Sequence, residues 1–452
     1  MAMNKTNIYQ FLGKEFACPY CKQKHSIPVK KILTENKSIC KISDFVSSLI
    51  DKKTKKKILI LSDNITWEVA GKRCEEILKE KFKTYPLIIY PKNEKIVSAR
   101  EEYMDRIFRT AEDKNLILTV GAGTITDLGK YTGDKLEIPV ISFPTAPSNN
   151  AFTSGVSSLI VKGLKSVFPV RPVIGVLSDT EILAQAPLDL IKAGFADSLA
   201  KAFANSDWKI SSLLTGENFC PLPSLIVTGA EKHYIGEGSK ILKRDEKTIK
   251  LLMEGLNLGG ISMLIAGKSS PASGGEHLIS HFLDMYAHHK EKEIYAYHGI
   301  QVGVGIYISS LIYEKLKSIE PSDIDKLLKR NKIDYREKLE KIISVFPKGE
   351  KVIEKEFRNK QKVITLIREN LTGKWGLIKK EVFPLVYSPL QIKRILERAN
   401  CPITLQNIGV EKEIILKDIL LSRFIRRRLT VLDIADELGI LEGIAEKYTG
   451  FP

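Results

Sequence analysis

The sequence predicts an α/β front half built on a parallel sheet, followed by an all-α back half. Three observations carry this. Up to Pro187, short apolar runs alternate with stretches whose apolar residues recur at helical spacing, which is the pattern of βαβ units. Beyond Pro187 no strand-like alternation persists, and nearly every stretch is helical in spacing. Two of the front runs end in turns rich in Gly, Pro, Thr and Ser, where an open parallel sheet presents its strand ends.

The elements follow in order. Residues 1–50 read as a polar leader closing on the helix-like KISDFVSSLIDKK. Within it, Cys18-Pro-Tyr-Cys21 with His25 resembles half of a zinc ribbon. A closed structural site wants four ligands, and Cys40 is the expected fourth; reduced surface thiols are the alternative. Residues 51–187 form the α/β domain, with strands at ILIL (58–61), LIIY (87–90), LILTV (116–120) and IPVISF (138–143). VSSLIV (156–161) and VIGVL (173–177) are expected to pair as a hairpin at the sheet edge. Residues 188–452 form the helical domain, with helices expected over 240–266, 275–289, 299–317, 322–346, 351–370 and 411–424.

A chain of 452 residues implies about two or three domains. The 43% hydrophobic and 27% charged content is that of a globular protein. No run approaches the roughly 18 apolar residues of a membrane span, and the N-terminus lacks a signal-type apolar core. These features predict a cytoplasmic protein with no integral membrane association. The formal charge of +16, with local runs at Lys52–Lys57 and Arg426–Arg428, draws anions: phosphorylated metabolites, nucleotides, nucleic acid or an anionic membrane surface. The alternative is solvated helix faces. No aromatic-interleaved basic motif points to nucleic acid.

Gly121-Ala-Gly123-Thr124-Ile125-Thr126-Asp127 lies between an expected strand and an expected helix. Glycines there let the backbone approach a pyrophosphate, and the helix N-terminus favours its charge. The spacing is not GxGxxG, and turn chemistry alone also places glycines here. Thr145-Ala146-Pro147-Ser148 closes the next strand in the equivalent place. Two such turns at neighbouring strand ends point to a dinucleotide. Asp63 ends the first strand, where a carboxylate accepts ribose hydroxyls.

Five of the seven histidines fall between positions 277 and 298. His277 and His281 are four apart and share a helix face; His298 follows before a glycine. Such a cluster suits a metal or proton-transfer site. His288 and His289 read as a solvated turn. Asp197, among apolar residues in GFADSLAK, is either a cap or salt-bridge partner or the carboxylate of a carboxylate–imidazole metal site with an open position.

The ordered motifs GAGTITDLGK, FPTAPSNNAFTS, GFADSLAK, SPASGGEHLISH and YHGIQVGVG resemble those of the sn-glycerol-1-phosphate dehydrogenase family. That family is a branch of the metal-dependent alcohol dehydrogenases related to glycerol dehydrogenase and dehydroquinate synthase. The resemblance runs from about residue 35 to 445. It implies a dehydroquinate synthase-like fold, NAD(H) or NADP(H), one divalent metal (zinc, with nickel or iron as the other candidates), a small phosphorylated substrate and a homo-oligomer, dimer or larger. It implies Asp197, His277 and His298 as metal ligands, and His281 with Asp197 as catalytic residues. Asn150, Asp197 and His281 would face the substrate. Gly121, Gly123, Thr124, Ile125, Thr126 and Asp127 would form the pyrophosphate loop, with Thr145, Ala146, Pro147 and Ser148 a second cofactor segment. Ser154 would lie near the nicotinamide and Asp63 near the adenosine.

Two departures concern the substrate. Asn150 stands where the family usually has an aspartate, and Ser270 where it often has an arginine suited to bidentate phosphate binding. The expected reaction is reduction of dihydroxyacetone phosphate to sn-glycerol-1-phosphate, a phospholipid precursor. The alternatives are reduction of another phosphorylated or phosphonylated carbonyl compound, or a dehydroquinate synthase-like lyase reaction.

Overall fold

The computed structural model describes residues 8–50, 56–92, 95–161 and 164–450. The basic run Lys52–Lys57 lies mostly outside these residues. The described chain packs as two compact units. The first joins the residues up to Ser198 with Pro221–Ser269, and the second joins Leu199–Cys220 with the residues from Ser270 onward.

The first unit is organised by a six-stranded parallel sheet. Its strands are β3 (Lys31–Glu35), β4 (Lys57–Asp63), β5 (Lys83–Ile89), β6 (Leu116–Gly121), β7 (Val140–Pro144) and β10 (Gly175–Asp179). Their spatial order is β3-β10-β7-β6-β4-β5. Strands β6, β7 and β10 are buried along their whole length, as expected for a parallel sheet covered on both faces. Ile58 and Ile60 of β4, Leu116, Leu118 and Val120 of β6, and Phe143 of β7 form the centre of the core. The chain leaves β4 to one side for β5 and then returns on the other side as β6. This reversal is the topological switch point, and the carboxyl ends facing it are Asp63 and Gly121. At the outer edge, β5 carries the exposed Pro86 at mid-strand, which edge strands tolerate.

Three features depart from the sequence expectation. Strand β10 does not pair with 156–161. It lies inside the sheet, parallel to β7 and to β3, a strand from the expected leader. The segment Val156–Val161 (β8) instead pairs antiparallel with Leu164–Pro169 (β9), a run whose Lys and Ser residues hide its alternation. A further hairpin, β1 (Lys14–Ala17) with β2 (Lys24–Ile27), sits in the leader. Hairpin β8–β9 packs on helix α1 (Gly123–Lys135). Asp127 accepts from the Ser158 amide at 3.2 Å, and the fully buried Lys130 donates to Ala151 O at 2.8 Å and Ser154 Oγ at 3.0 Å.

Helix α2 (Leu188–Thr215) begins in the first unit and ends in the second. Helices α3 (Pro221–Glu231) and α4 (Glu246–Ala266) complete the first unit. Among the described residues, α4 alone is long and apolar enough to cross a membrane, and 72% of the qualifying window is buried inside the protein.

The second unit is helical. Its main members are α5 (Gly275–His289), α6 (His298–Lys317), α7 (Glu350–Glu381), α8 (Lys412–Leu421) and α9 (Val431–Glu437). The expected helix over 322–346 is broken into Ile324–Arg330 and Tyr335–Val345, the second capped by Asp334. One buried charge network ties the helices together. Arg423 bridges Asp433, Asp436 and Glu437, and Lys360 bonds Asp433 at 2.9 Å.

Candidate active site

Helix α5 presents the histidines, and carboxylates fix where it starts. The Gly274 amide donates to Glu276 Oε1 at 2.6 Å and the Gly275 amide to Asp207 Oδ2 at 2.8 Å. Amides of a first helical turn have no partner within the helix, so two carboxylates here hold the helix entry. Asp207 also accepts from Tyr313 Oη at 2.6 Å and from the Val431 amide at 3.0 Å.

One turn apart on α5, His277 and His281 are both buried. His298 is the first residue of α6. The ring centroids are 5.3 Å apart for His277–His298, 5.6 Å for His281–His298 and 6.1 Å for His277–His281. Nδ1 of His277 meets Glu276 Oε1 at 2.9 Å, and Nδ1 of His298 meets Ser280 Oγ at 2.9 Å. With Nδ1 engaged in both rings, ligation of a metal would fall to Nε2. Asp197, 1% exposed, lies on α2, the helix both units share. Asp197, His277 and His298 each offer a ligand atom, and these atoms lie within 4.8 Å of one another. Two imidazole nitrogens and a buried carboxylate fit a divalent cation with a position left open. His281 is outside this ligand group but stacks on His298.

Glu276 and Lys201 were not singled out in the sequence. Glu276 is signalled only by its place before His277. Lys201 is four residues after Asp197, on the same helix face, and only 3% exposed.

In the first unit, Gly121 ends β6, and Ala122 at the cap of α1 supplies no side-chain acceptor. The amides of the first turn are thus uncapped by that residue, which fits an anion. A Cβ on Gly123 would lie 2.2 Å from Asn149 Nδ2, so this turn packs directly on Asn149, another residue not singled out. Thr124 is half-buried, whereas Ile125 is fully buried and Thr126 Oγ1 meets Ser142 Oγ at 3.2 Å. The Asp127 carboxylate pairs with Lys130 at 3.1 Å, and burial raises its pKa. Thr145 donates its amide to Gly121 O at 3.3 Å, joining the two turns; Ala146, Pro147 and Ser148 are buried beside it. Ser154 Oγ is held by Lys130. Asp63 caps Asn64–Thr66, accepting from the Thr66 amide at 2.7 Å. Asn150 is half-buried.

Ser270 is buried in the short helix Ser270–Ala272. Three residues on, the Ser273 carbonyl accepts from the Arg428 guanidinium. A guanidinium therefore reaches this loop from a distant part of the chain. His288 and His289 close α5 away from the cluster.

Residues 41–187 match the model of the iron-containing alcohol dehydrogenase family. A protein of Bacillus licheniformis named glycerol-1-phosphate dehydrogenase, NAD(P)+, is 28% identical over 435 residues, covering 96% of this chain and 95% of its own length. A protein of the same name from Geobacillus thermodenitrificans is 30% identical, covering 73% of this chain and 82% of its own. A probable glycerol dehydrogenase of Sinorhizobium meliloti, 14% identical, shares the fold with a TM-score of 0.58 over 92% of this chain and 97% of its own. On its similarity to these relatives, which runs along most of its length, the chain belongs to the glycerol-1-phosphate dehydrogenase family.

Proposed function

We propose that this protein reduces dihydroxyacetone phosphate to sn-glycerol-1-phosphate with NADH or NADPH, and that Asp197, His277 and His298 hold the divalent metal the reaction uses. Family membership supports the reaction. The observation that carries the site is the convergence of one buried carboxylate and two imidazoles whose Nδ1 atoms are already engaged. Zinc suits this donor set, and nickel or iron accept the same donors.

When bound, the metal would supply Lewis-acid polarisation of the substrate carbonyl, and the reduced nicotinamide would supply the hydride. The protein's part is placement and proton supply. Glu276 and Ser280 orient the His277 and His298 rings, so little reorganisation accompanies binding. His281 delivers the proton to the substrate's C2 oxygen as negative charge develops there. The turns at Gly121–Thr124 and Thr145–Ser148 receive the cofactor's pyrophosphate at the switch point, and Asp63 keeps one carboxylate oxygen for a ribose hydroxyl. Ile125, Thr126, Asp127 and Ser154 shape that crevice from behind, since their side chains are engaged in packing. Asn150 borders the substrate, and Arg428 supplies its phosphate with the guanidinium that Ser270 lacks. The enzyme works in the cytoplasm as a homo-oligomer and feeds phospholipid synthesis.

A second reading, reduction of another phosphorylated or phosphonylated carbonyl compound, has one observation in favour: neither Asn150 nor Ser270 carries the family's usual charge. One experiment separates the readings. Protein reloaded with zinc is mixed with NADH and dihydroxyacetone phosphate, and NADH loss and product handedness are followed. Stoichiometric NADH loss with the sn-1 product supports the proposal. No loss with this substrate refutes it, and turnover without net NADH loss identifies a lyase.

A further inference from the structure

Apart from the imidazole cluster, one other group of metal-ligating side chains converges among the described residues. Cys18, Cys21, His25 and Cys220 each offer a ligand atom within 4.8 Å of the others. Cys40, the ligand expected from the sequence, is exposed and outside this group. Cys220, far along the chain, takes that place; it immediately precedes Pro221, the first residue of α3.

We propose that Cys18, Cys21, His25 and Cys220 form a closed four-ligand metal site, zinc by donor type, separate from the histidine centre.

The local fold is arranged for it. Hairpin β1–β2 sets Phe16 opposite His25. Its turn is closed by the Cys18 amide on Gln23 O at 2.8 Å and the Lys22 amide on Cys18 O at 3.1 Å. Lys22 adopts a left-handed φ of 62°, an uncommon conformation for a lysine, and this tightens the turn between the two thiols and His25. Cys21 Sγ lies 3.1 Å from His25 Nε2. The His25 imidazole is also hydrogen-bonded to the backbone of Ile265 on α4, and such a second contact helps to orient a ligating ring. Cys18 and Cys220 are 2% and 5% exposed.

A tetrahedral zinc with bonds of about 2.0–2.3 Å needs ligand atoms roughly 3.3–3.8 Å from one another, and the four ligand atoms here already lie within 4.8 Å of one another. Three thiols and one imidazole complete the coordination and leave no position for substrate, so the site is structural. Three thiols are also an odd number, so a disulfide would leave one thiol and the oriented imidazole without a role. The bound metal would tie the N-terminal hairpin to the residue that precedes α3. Its loss would loosen that hairpin without removing any group from the histidine centre.

Cobalt(II) tests this, because cobalt bound by thiolates gives a charge-transfer absorption that cobalt bound by imidazole and carboxylate does not. The full chain, purified under reducing conditions, is stripped of metal and reloaded with cobalt(II). The thiolate band is expected in the wild type, in Cys40→Ser and in His277→Ala, and is expected to be lost in Cys21→Ser and Cys220→Ser. Cys220→His should retain tetrahedral cobalt with a weaker thiolate band. A second measurement needs no substitution. In zinc-loaded wild type, three cysteines should resist a thiol reagent until a chelator is added, and zinc should be released as they react. A wild type without the thiolate band, an unchanged band in Cys220→Ser, or thiols equally reactive with and without zinc overturns the proposal. None of these outcomes bears on dihydroxyacetone phosphate reduction.

Discussion

At the scale of single residues, the candidate centre is governed by what each imidazole does with its second nitrogen. Glu276 is completely buried and its Oε1 serves both the Gly274 amide and His277 Nδ1. Glu276→Gln keeps the shape but weakens the hold on the His277 tautomer. The expected result is metal affinity lower by about 10- to 100-fold, read by zinc titration against a chelating dye. Substrate recognition gives a second residue-scale outcome. Ser270 is only 6% exposed, so Ser270→Arg should overpack its loop rather than restore a phosphate contact. Arg428→Met should raise the KM for dihydroxyacetone phosphate by about 10- to 150-fold, the worth of one charged hydrogen bond. The same variant should leave the KM for unphosphorylated dihydroxyacetone nearly unchanged. Asp197 and the three histidines were visible in the sequence because two of them share one helix face and all sit in recognisable motifs. Cys220 was not, because nothing adjacent in the chain marks it; Arg428 and Asn149 stood in a basic run and a turn motif, but what each touches is set by tertiary contact alone.

At the scale of elements, close approach of backbones sets the tolerances. Gly194 on α2 lies against the turn that follows β7. A Cβ there would sit 1.7 Å from Pro147 O and 2.7 Å from Pro147 C. Backbone cannot swing aside as a flexible side chain does, so Gly194→Ala should displace Thr145–Ser148. The expected cost is about 1–3 kcal/mol of stability, together with weaker NADH binding, measured by denaturant unfolding and fluorescence titration. The start of α5 makes a pH-dependent contribution. Burial, with the Glu276 carboxylate adding to it, pushes the Asp207 carboxyl up to about 7. A carboxyl raised in the folded state favours folding least where it must ionise. This group should therefore lower stability as pH climbs from the ordinary carboxylate range to about 7. Asp207→Asn should flatten that fall in the thermal midpoint, and an unchanged slope would refute the assignment. The strands most legible from sequence were β4, β6 and β7, whose mainly apolar runs reflect burial on both faces. Strands β3 and β9 were hidden because each carries lysine and an exposed or half-buried face, and this hid the true partners of β8 and β10.

At the scale of the whole molecule, the α/β front and helical back were readable because the apolar period changes near Pro187. The grouping of Pro221–Ser269 with the sheet was not, since a helix's spacing does not say which neighbour it will cover. The net charge of +16 suits a dianionic substrate and opposes non-specific clustering. A parallel sheet nevertheless ends in a strand whose outer amides and carbonyls lack a neighbour, an invitation to uncontrolled stacking with other copies. Pro86, at the middle of β5, has no amide hydrogen to offer an incoming strand, and the exposed Lys83 adds charge at its start. Pro86→Val would restore the missing donor in a run reading Thr84, Tyr85, Val, Leu87, Ile88, Ile89. Faster thioflavin-positive aggregation at unchanged folded stability is the expected outcome, read by fluorescence during storage at high concentration. One imino acid on a sheet border would then be what lets this enzyme stay dispersed in a crowded cell.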